Sequence, residues 1–236
     1  MANSAISLRC RHTVLYSFVL GRLTMVENGF VIRSVAISTI TRHSYRLTVV
    51  RRAADSSPTF RPERIPRDSI VLSFGLAQQV TFEAGLQEIT RNCCSIFGYD
   101  IRGDRRKVKF LYSQIPRTNL RKAYVGSFNW KDTYTVDTLL NLDNITAVEI
   151  MKMDIESNEY KVLPQFLIMC RPAQIMLEIH GISMQTAELL QRISLHGYWL
   201  ISYEINGEYH DSCEYSFIHE SAFDKYHVIP LAKYLD

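Results

Sequence analysis

Short apolar runs alternate with longer amphipathic stretches along most of this chain, and this alternation restricts the fold more than any other feature. We predict buried strands for four apolar runs, at residues 69–74, 94–100, 148–155 and 174–180. We predict helices for four stretches with apolar residues at helical spacing, at residues 78–91, 134–142, 156–170 and 184–196. Strands separated by helices form βαβ units, which build a mostly parallel sheet with helices on both faces.

The C-terminal part departs from this alternation. Residues 198–205 and 213–219 read as two consecutive strands without a helix between them, which predicts an antiparallel hairpin at the sheet edge. Two further runs, 108–112 and 122–126, read as additional short strands. The predicted fold is therefore an α/β, doubly wound, mostly parallel sheet with a C-terminal antiparallel edge hairpin.

The first 67 residues differ in composition from the remaining 169. They hold eleven arginines and three acidic residues, a net charge of +8, whereas residues 68–236 carry −5. We predict a basic N-terminal extension at 1–67, poorly ordered or targeting-like, and one domain at 68–236. An organellar transit peptide, a weak signal peptide and an extension with little effect on the fold all stay open.

Composition also limits the partners and cofactors. The acidic body does not continue the basic surface of the extension, so we expect no nucleic-acid partner. No apolar run near the N-terminus is long enough to span a membrane. The five cysteines contain no C-x-x-C, and the seven histidines show no two-histidine spacing on a helix, so no metal is predicted. The oligomeric state and the compartment are left open by the sequence.

Polar residues cluster where the predicted strands end. In open α/β sheets, ligands bind beyond the carboxyl ends of the strands. The candidate cofactor and catalytic residues at these ends are Ser73, Phe74, Gly75, Asp100, Asp154, Glu156, Glu178 and His180. We therefore expect a ligand site along this edge of the sheet.

Asp100 and the loop after the first predicted strand indicate the kind of ligand. Asp100 follows Gly75 by 25 residues, a spacing typical of an acid that binds both hydroxyls of a ribose. The loop has one glycine and no G-x-G-x-x-G, so close approach of a pyrophosphate is disfavoured. A nucleoside cofactor without phosphates, such as S-adenosylmethionine, needs less from this loop. A plain turn acid is the structural alternative for Asp100.

The ends of the two later strands carry the candidate catalytic groups. Asp154 ends one strand, and we expect it to contact cofactor or substrate, with Glu156 beside the substrate. Glu178 and His180 alternate with Ile179 and so face one side of their strand. A histidine beside a carboxylate can serve as a general base, although a purely structural histidine fits the same pattern.

Several motifs in a fixed order resemble the FkbM-type methyltransferase domain. The resemblance covers residues 68–236. Within this family the chain is similar to the methyltransferase-like branch, especially its nematode-type members. Its motifs are the run 71–75, Phe82-Glu83, Gly98-Tyr99-Asp100, Lys152-Met153-Asp154-Ile155-Glu156 and Leu177-Glu178-Ile179-His180.

This resemblance implies a class I, Rossmann-like methyltransferase fold and methyl transfer from S-adenosylmethionine to a hydroxyl of a small molecule or glycan. Residues 73–75 and Asp100 would then hold the cofactor, and the 154–156 strand end would border the transfer site. The chain departs from the family pattern at three places. Ser157 stands where the family usually has glycine, and Gln78-Gln79 stand where the first loop usually continues with polar and acidic residues. Residues 1–67 do not match the expected start of the family's domain. A non-catalytic binding module with a degraded cofactor site is the alternative.

Overall fold

The computed structural model describes residues 62–76, 80–205 and 212–228, together with the backbone of two short strands before them. Its centre is a seven-stranded sheet with the order β10-β11-β9-β8-β3-β4-β5. The strands are β1 Ile32–Ser34, β2 Thr48–Val50, β3 Ile70–Phe74, β4 Ser95–Asp100, β5 Thr118–Lys122, β6 Tyr124–Val125, β7 Thr133–Tyr134, β8 Ile150–Met153, β9 Gln174–His180, β10 Tyr198–Ile205 and β11 Ser212–His219. The α-helices are α1 Thr81–Thr90, α2 Arg106–Ser113, α3 Val136–Leu142, α4 Glu159–Met169, α5 Ser183–Leu195 and α6 Phe223–Tyr226. Pro62–Arg64 and Glu220–Ala222 form 3₁₀ turns.

The order of the strands confirms the predicted doubly wound sheet. β3 pairs in parallel with β4 and with β8, and β8 pairs in parallel with β9. β11 is antiparallel to both β9 and β10 and lies between them, so β10 runs in the same direction as the parallel strands. β11 therefore runs opposite to the other six strands of this sheet. The carboxyl ends of β3, β4, β5, β8, β9 and β10 all lie at one edge.

Two hydrophobic clusters cover the two faces of the sheet. On one face, Leu72 and Leu177 pack with Leu163 of α4 and Leu190 of α5. On the other face, Val71 packs with residues of α1 and α6. β3, β8 and β9 are buried almost throughout, which explains their continuous apolar sequences.

One predicted strand is wrong. Residues 108–112 lie inside helix α2, where Val108 and Tyr112 are buried one turn apart and Phe110 is exposed. A parallel connection from β4 to β5 needs a crossover segment, and α2 supplies it. The predicted run 122–126 is displaced, because β5 ends at Lys122 and Tyr124–Val125 pair instead with β7.

The prediction for residues 1–67 lies largely outside the described residues and stays a prediction. Within that segment, β1 and β2 pair in antiparallel, and Ile65 is buried with the core residues Val71 and Phe82. The adjacent Cys93 and Cys94 form a disulfide, which the cysteine spacing did not predict, and Cys170 is a free thiol. Among the described residues, no helix combines the length and the apolar character needed to cross a bilayer.

Candidate functional site

A cleft opens at the carboxyl edge of the sheet, between the loops that follow β3, β4, β5 and β8. It is lined by Gly75, Tyr99, Asp100, Ile101, Arg102, Ala123, Tyr124, Val125, Asp154, Ile155 and Glu156. Two of these lining residues, the apolar Ile101 and the aromatic Tyr124, are exposed to solvent. The cleft lies where open α/β folds bind nucleoside ligands, and its lining includes the predicted residues Gly75, Asp100, Asp154 and Glu156.

Gly75 allows the two central loops to approach each other closely. Its φ is +75°, and a Cβ atom there would collide with the backbone carbonyl of Asp154. Its amide donates to the carbonyl oxygen of Tyr99 at 3.0 Å. Glycine is therefore required at this position by both backbone conformation and space.

Asp100 holds two loops at the end of β4. Its Oδ2 accepts the amide hydrogen of Leu76 at 2.8 Å, and its Oδ1 accepts that of Arg102 at 2.5 Å. The carboxylate is buried and lines the cleft. A carboxylate has about four acceptor sites on its two oxygens, so the same side chain type can both position loops and accept the hydroxyls of a ribose.

Ser73 and Phe74 lie in the core rather than along the cleft. Ser73 is fully buried and donates a hydrogen bond to the buried carboxylate of Glu83 on α1. Phe74 is fully buried and stacks on Tyr99, with ring centroids 5.3 Å apart. Neither side chain lines the cleft, and the prediction that these residues hold the cofactor stays a prediction. Their contribution is to support the strand end and the Tyr99 ring that lines the cleft.

Lys152 is a buried residue of the site that the sequence analysis did not assign a role. Its Nζ donates to the carbonyl oxygens of Phe74 and Gly75 and lies 3.5 Å from Asp154 Oδ2. Burial raises the pKa of Glu83, and the positive charge of Lys152 acts against this rise. A lysine in the middle of a buried strand was the available signal, since lysine is almost never buried without partners.

His180 lies among four carboxylates. Its Nδ1 is 3.5 Å from Glu159 Oε1, and its Nε2 is 3.6 Å from Glu178 Oε1. The same Nε2 is 3.8 Å from Glu156 Oε2 and 3.9 Å from Asp154 Oδ1. The structure thus brings the predicted catalytic residues Asp154, Glu178 and His180 together beside the cleft, and it adds Glu159 from the start of α4.

The surrounding carboxylates control the protonation of His180. Burial lowers the pKa of the imidazole, but the carboxylates of Glu159, Glu178 and Asp154 outweigh burial and raise the pKa to about 9. Across the strand pair, burial together with Glu178 raises the pKa of Glu214 to about 8. With such a pKa the imidazole is protonated at neutral pH when no other cation balances the carboxylates, and it can accept a proton from a hydroxyl only in its neutral form.

Glu156 and Ser157 form a turn whose backbone conformation is unfavourable for residues other than glycine. Their φ values are +56° and +75°, although neither residue is glycine. This left-handed conformation costs a non-glycine residue about 1 kcal/mol. Ser157 therefore occupies a position where glycine is favoured, and the chain keeps the turn despite the departure noted in the sequence.

Replacing Ser157 with glycine should raise the free energy of unfolding by about 1 kcal/mol, because it relieves the left-handed strain. Chemical denaturation measures the change. The matched control is Ala84→Gly, on the exposed side of α1, which should lower stability by a similar amount. A destabilised Ser157→Gly variant would contradict the conformation of this turn.

The fold and the cleft define a class I methyltransferase. The family model described as the methyltransferase FkbM domain matches residues 60–200. This match spans more than half of the 236 residues, so the chain belongs to the FkbM methyltransferase domain family, and its cofactor is S-adenosylmethionine. The predicted FkbM methyltransferase family, the class I fold and the cofactor are confirmed, whereas membership of the nematode-type branch stays a prediction.

The chain is also similar, at low sequence identity, to solved structures of other proteins. Fibrillarin of Methanococcus jannaschii, a pre-rRNA processing protein, is 14% identical with a TM-score of 0.47, covering 66% of this chain and 69% of its own. Aeropyrum pernix fibrillarin, solved with natively bound S-adenosyl-L-methionine, is 10% identical with a TM-score of 0.47, covering 66% and 68%. A precorrin-6y C5,15-methyltransferase of Geobacter metallireducens is 11% identical with a TM-score of 0.44, covering 66% and 82%. No curated protein matches the chain.

Proposed function

We propose that this methyltransferase transfers the methyl group to a hydroxyl oxygen of a small molecule or a glycan, as a member of the methyltransferase-like, nematode-type branch. The observation that carries the proposal is the cluster of Asp154, Glu178 and His180 directly beside the cofactor cleft. An alcohol must be oriented and must lose a proton during transfer, and carboxylate and imidazole groups can do both.

The cofactor would lie along the cleft with its ribose at Asp100. The carboxylate accepts amide hydrogens from the loop after β3 and from the loop after β4, and the side chains of Ile101 and Tyr124 offer exposed apolar surface nearby. Asp154 would contact the amino end of the cofactor or the acceptor hydroxyl. A carboxylate in tight contact with the sulfonium would stabilise the ground state, since the sulfonium loses its positive charge in the transition state.

The transfer itself is an in-line displacement. When bound, S-adenosylmethionine would supply the methyl group, and its sulfur would take the electron pair of the carbon–sulfur bond as the deprotonated acceptor oxygen bonds to the methyl carbon. The chain contributes chiefly by aligning the donor and the oxygen and by excluding water.

We keep His180 as the candidate that handles the hydroxyl proton, with Glu178 beside it and Glu156 bordering the acceptor. The imidazole must be neutral to accept a proton. This role therefore requires another positive charge, besides the imidazolium, to balance the four surrounding carboxylates. Glu156 is largely exposed and is the member of this group best able to pass a proton to solvent.

Labelled methyl transfer to deproteinised cell extract, which supplies small metabolites and glycans, tests the proposed acceptor. Label from the S-adenosylmethionine methyl group should appear in methyl ethers, which resist mild alkali. Label in alkali-labile methyl esters or in methylated amines would contradict the proposal. A protein that binds the cofactor but transfers no label would instead be the non-catalytic binding module.

Two substitutions should separate binding from transfer. Asp100→Ala should weaken S-adenosylmethionine binding about 10-fold or more, measured by calorimetry, because it removes the ribose contact. His180→Ala should leave this binding within about twofold and slow methyl transfer by about 100-fold or more. Glu188→Ala, exposed on α5, is the control that should change neither. Unchanged affinity in Asp100→Ala, or an unchanged rate in His180→Ala, would contradict the corresponding role.

A further inference from the structure

The two ring nitrogens of His180 face carboxylates on opposite sides. Nδ1 faces Glu159, whereas Nε2 faces Glu178, Asp154 and Glu156 at 3.6 to 3.9 Å. One ligand atom each from Asp154, Glu178 and His180 lies within 4.8 Å of the other two. The three side chains come from the ends of the neighbouring strands β8 and β9, which a rigid sheet holds together.

These separations suit a shared cation better than direct hydrogen bonds. An N–H···O bond spans about 2.7–3.2 Å, so Nε2 is too far from each of the three carboxylate oxygens. A first-row divalent metal binds nitrogen and oxygen ligands at about 2.0–2.2 Å. Two ligands of one such ion are therefore roughly 3–4 Å apart, and the observed 3.6 and 3.9 Å fall in this range.

Glu159 gives an independent indication of the same site. It is fully buried at the start of α4, where Oε1 accepts the amide hydrogen of Ile155 at 2.7 Å and Oε2 has no hydrogen-bond partner. A metal-bound histidine usually directs its second ring nitrogen at a carboxylate, which orients the ring. Glu159 Oε1 stands on that side of the ring, 3.5 Å from Nδ1 and so beyond hydrogen-bond distance. With the Nδ1 proton directed at Glu159, the lone pair of Nε2 faces the cluster.

We propose that Asp154, Glu178 and His180 bind one divalent metal ion, with Glu159 orienting His180 from behind. One imidazole and two carboxylates form a donor set that suits Mn²⁺ or Zn²⁺ better than Ca²⁺. This inference rests on the proposed function, because Asp154 also lines the cleft in which the acceptor would bind. The ion binds the acceptor hydroxyl, lowers its pKa and orients its oxygen toward the methyl group. Because Nε2 of His180 then coordinates the ion, the hydroxyl proton leaves through the exposed Glu156 to solvent rather than to the imidazole.

Mn²⁺ is the probe for this site, because free Mn²⁺ gives an electron paramagnetic resonance signal that is lost on binding. Titration of the full, chelator-treated protein should show about one bound Mn²⁺ per chain. His180→Asn and Glu178→Gln should weaken binding about 100-fold or more, and Glu159→Gln about 10-fold or more. Glu188→Gln, which removes one exposed carboxylate on α5, should bind like the parent.

If the parent protein binds no stoichiometric Mn²⁺, the inference is overturned. It is also overturned if the folded His180→Asn variant binds Mn²⁺ as tightly as the parent. The proposed function fails separately: Mn²⁺ binds, S-adenosylmethionine binds, and no methyl ether forms. Methyl transfer at the full rate in chelator, with no Mn²⁺ bound, would leave the proposed function intact and end the metal inference.

Discussion

Replacing Gly75 with alanine should weaken S-adenosylmethionine binding more than 100-fold. The added Cβ would overlap the backbone carbonyl of Asp154, and φ at this position is +75°, so the β3–α1 loop must move. That movement separates the loop after β3 from Asp154 and breaks the hydrogen bond that the Gly75 amide donates to the carbonyl oxygen of Tyr99. Calorimetric titration of the purified variant measures the affinity, and circular dichroism verifies the fold.

Gly197→Ala is the matched control. Gly197 also has a positive φ, +87°, and an added Cβ there would meet the side chains of His219 and Glu220. It precedes β10, so it lies at the opposite end of the sheet from the cleft. This variant should lose stability and keep its cofactor affinity. Equal affinity in the Gly75→Ala variant would show that the loop is not part of the cofactor site.

Lys152→Met should lower the free energy of unfolding by about 3–5 kcal/mol, because it removes one partner from a buried charge group. The substitution leaves Glu83 buried without a nearby cation and leaves the carbonyl oxygen of Gly75 without its donor. For a chain of this length, the melting temperature should fall by roughly 10 °C. Denaturant titration and calorimetry measure the two quantities.

A second substitution tests the cause. Adding Glu83→Gln to Lys152→Met should restore part of the lost stability, because the buried carboxylate no longer needs a cation. Lys161→Met, exposed on α4, should change stability by less than about 0.5 kcal/mol. Strictly additive effects of the two buried substitutions would show that Lys152 and Glu83 do not interact.

Most of the fold could be predicted from periodicity. β9 spans 174–180 as predicted, and β3, β4 and β8 each lie within their predicted runs, because strands buried on both faces are continuously apolar. Segments near the sheet edge were less predictable. Residues 108–112 are rich in β-formers but form α2, and β5 lies at an edge with a largely polar sequence.

The site residues also divide into those that could be predicted from the sequence and those that could not. Asp100, Asp154 and His180 could be placed at strand ends from the sequence, since the carboxyl ends of parallel strands share one edge. Ser73 could not be separated from cleft residues, because strand alternation turned its side chain toward Glu83 in the core. Glu159, in the first turn of α4, was not among the predicted site residues, and only the three-dimensional structure places it beside His180.

Local periodicity and motif order were enough to predict the doubly wound sheet, the methyltransferase family and the strand ends that carry the chemistry. The carboxylates that surround His180, and the contact of Lys152 on β8 with the end of β3, became known only from the three-dimensional arrangement. Those relations depend on distances between residues far apart in the chain. Burial and charge in a site follow from such neighbours, and sequence spacing does not record them.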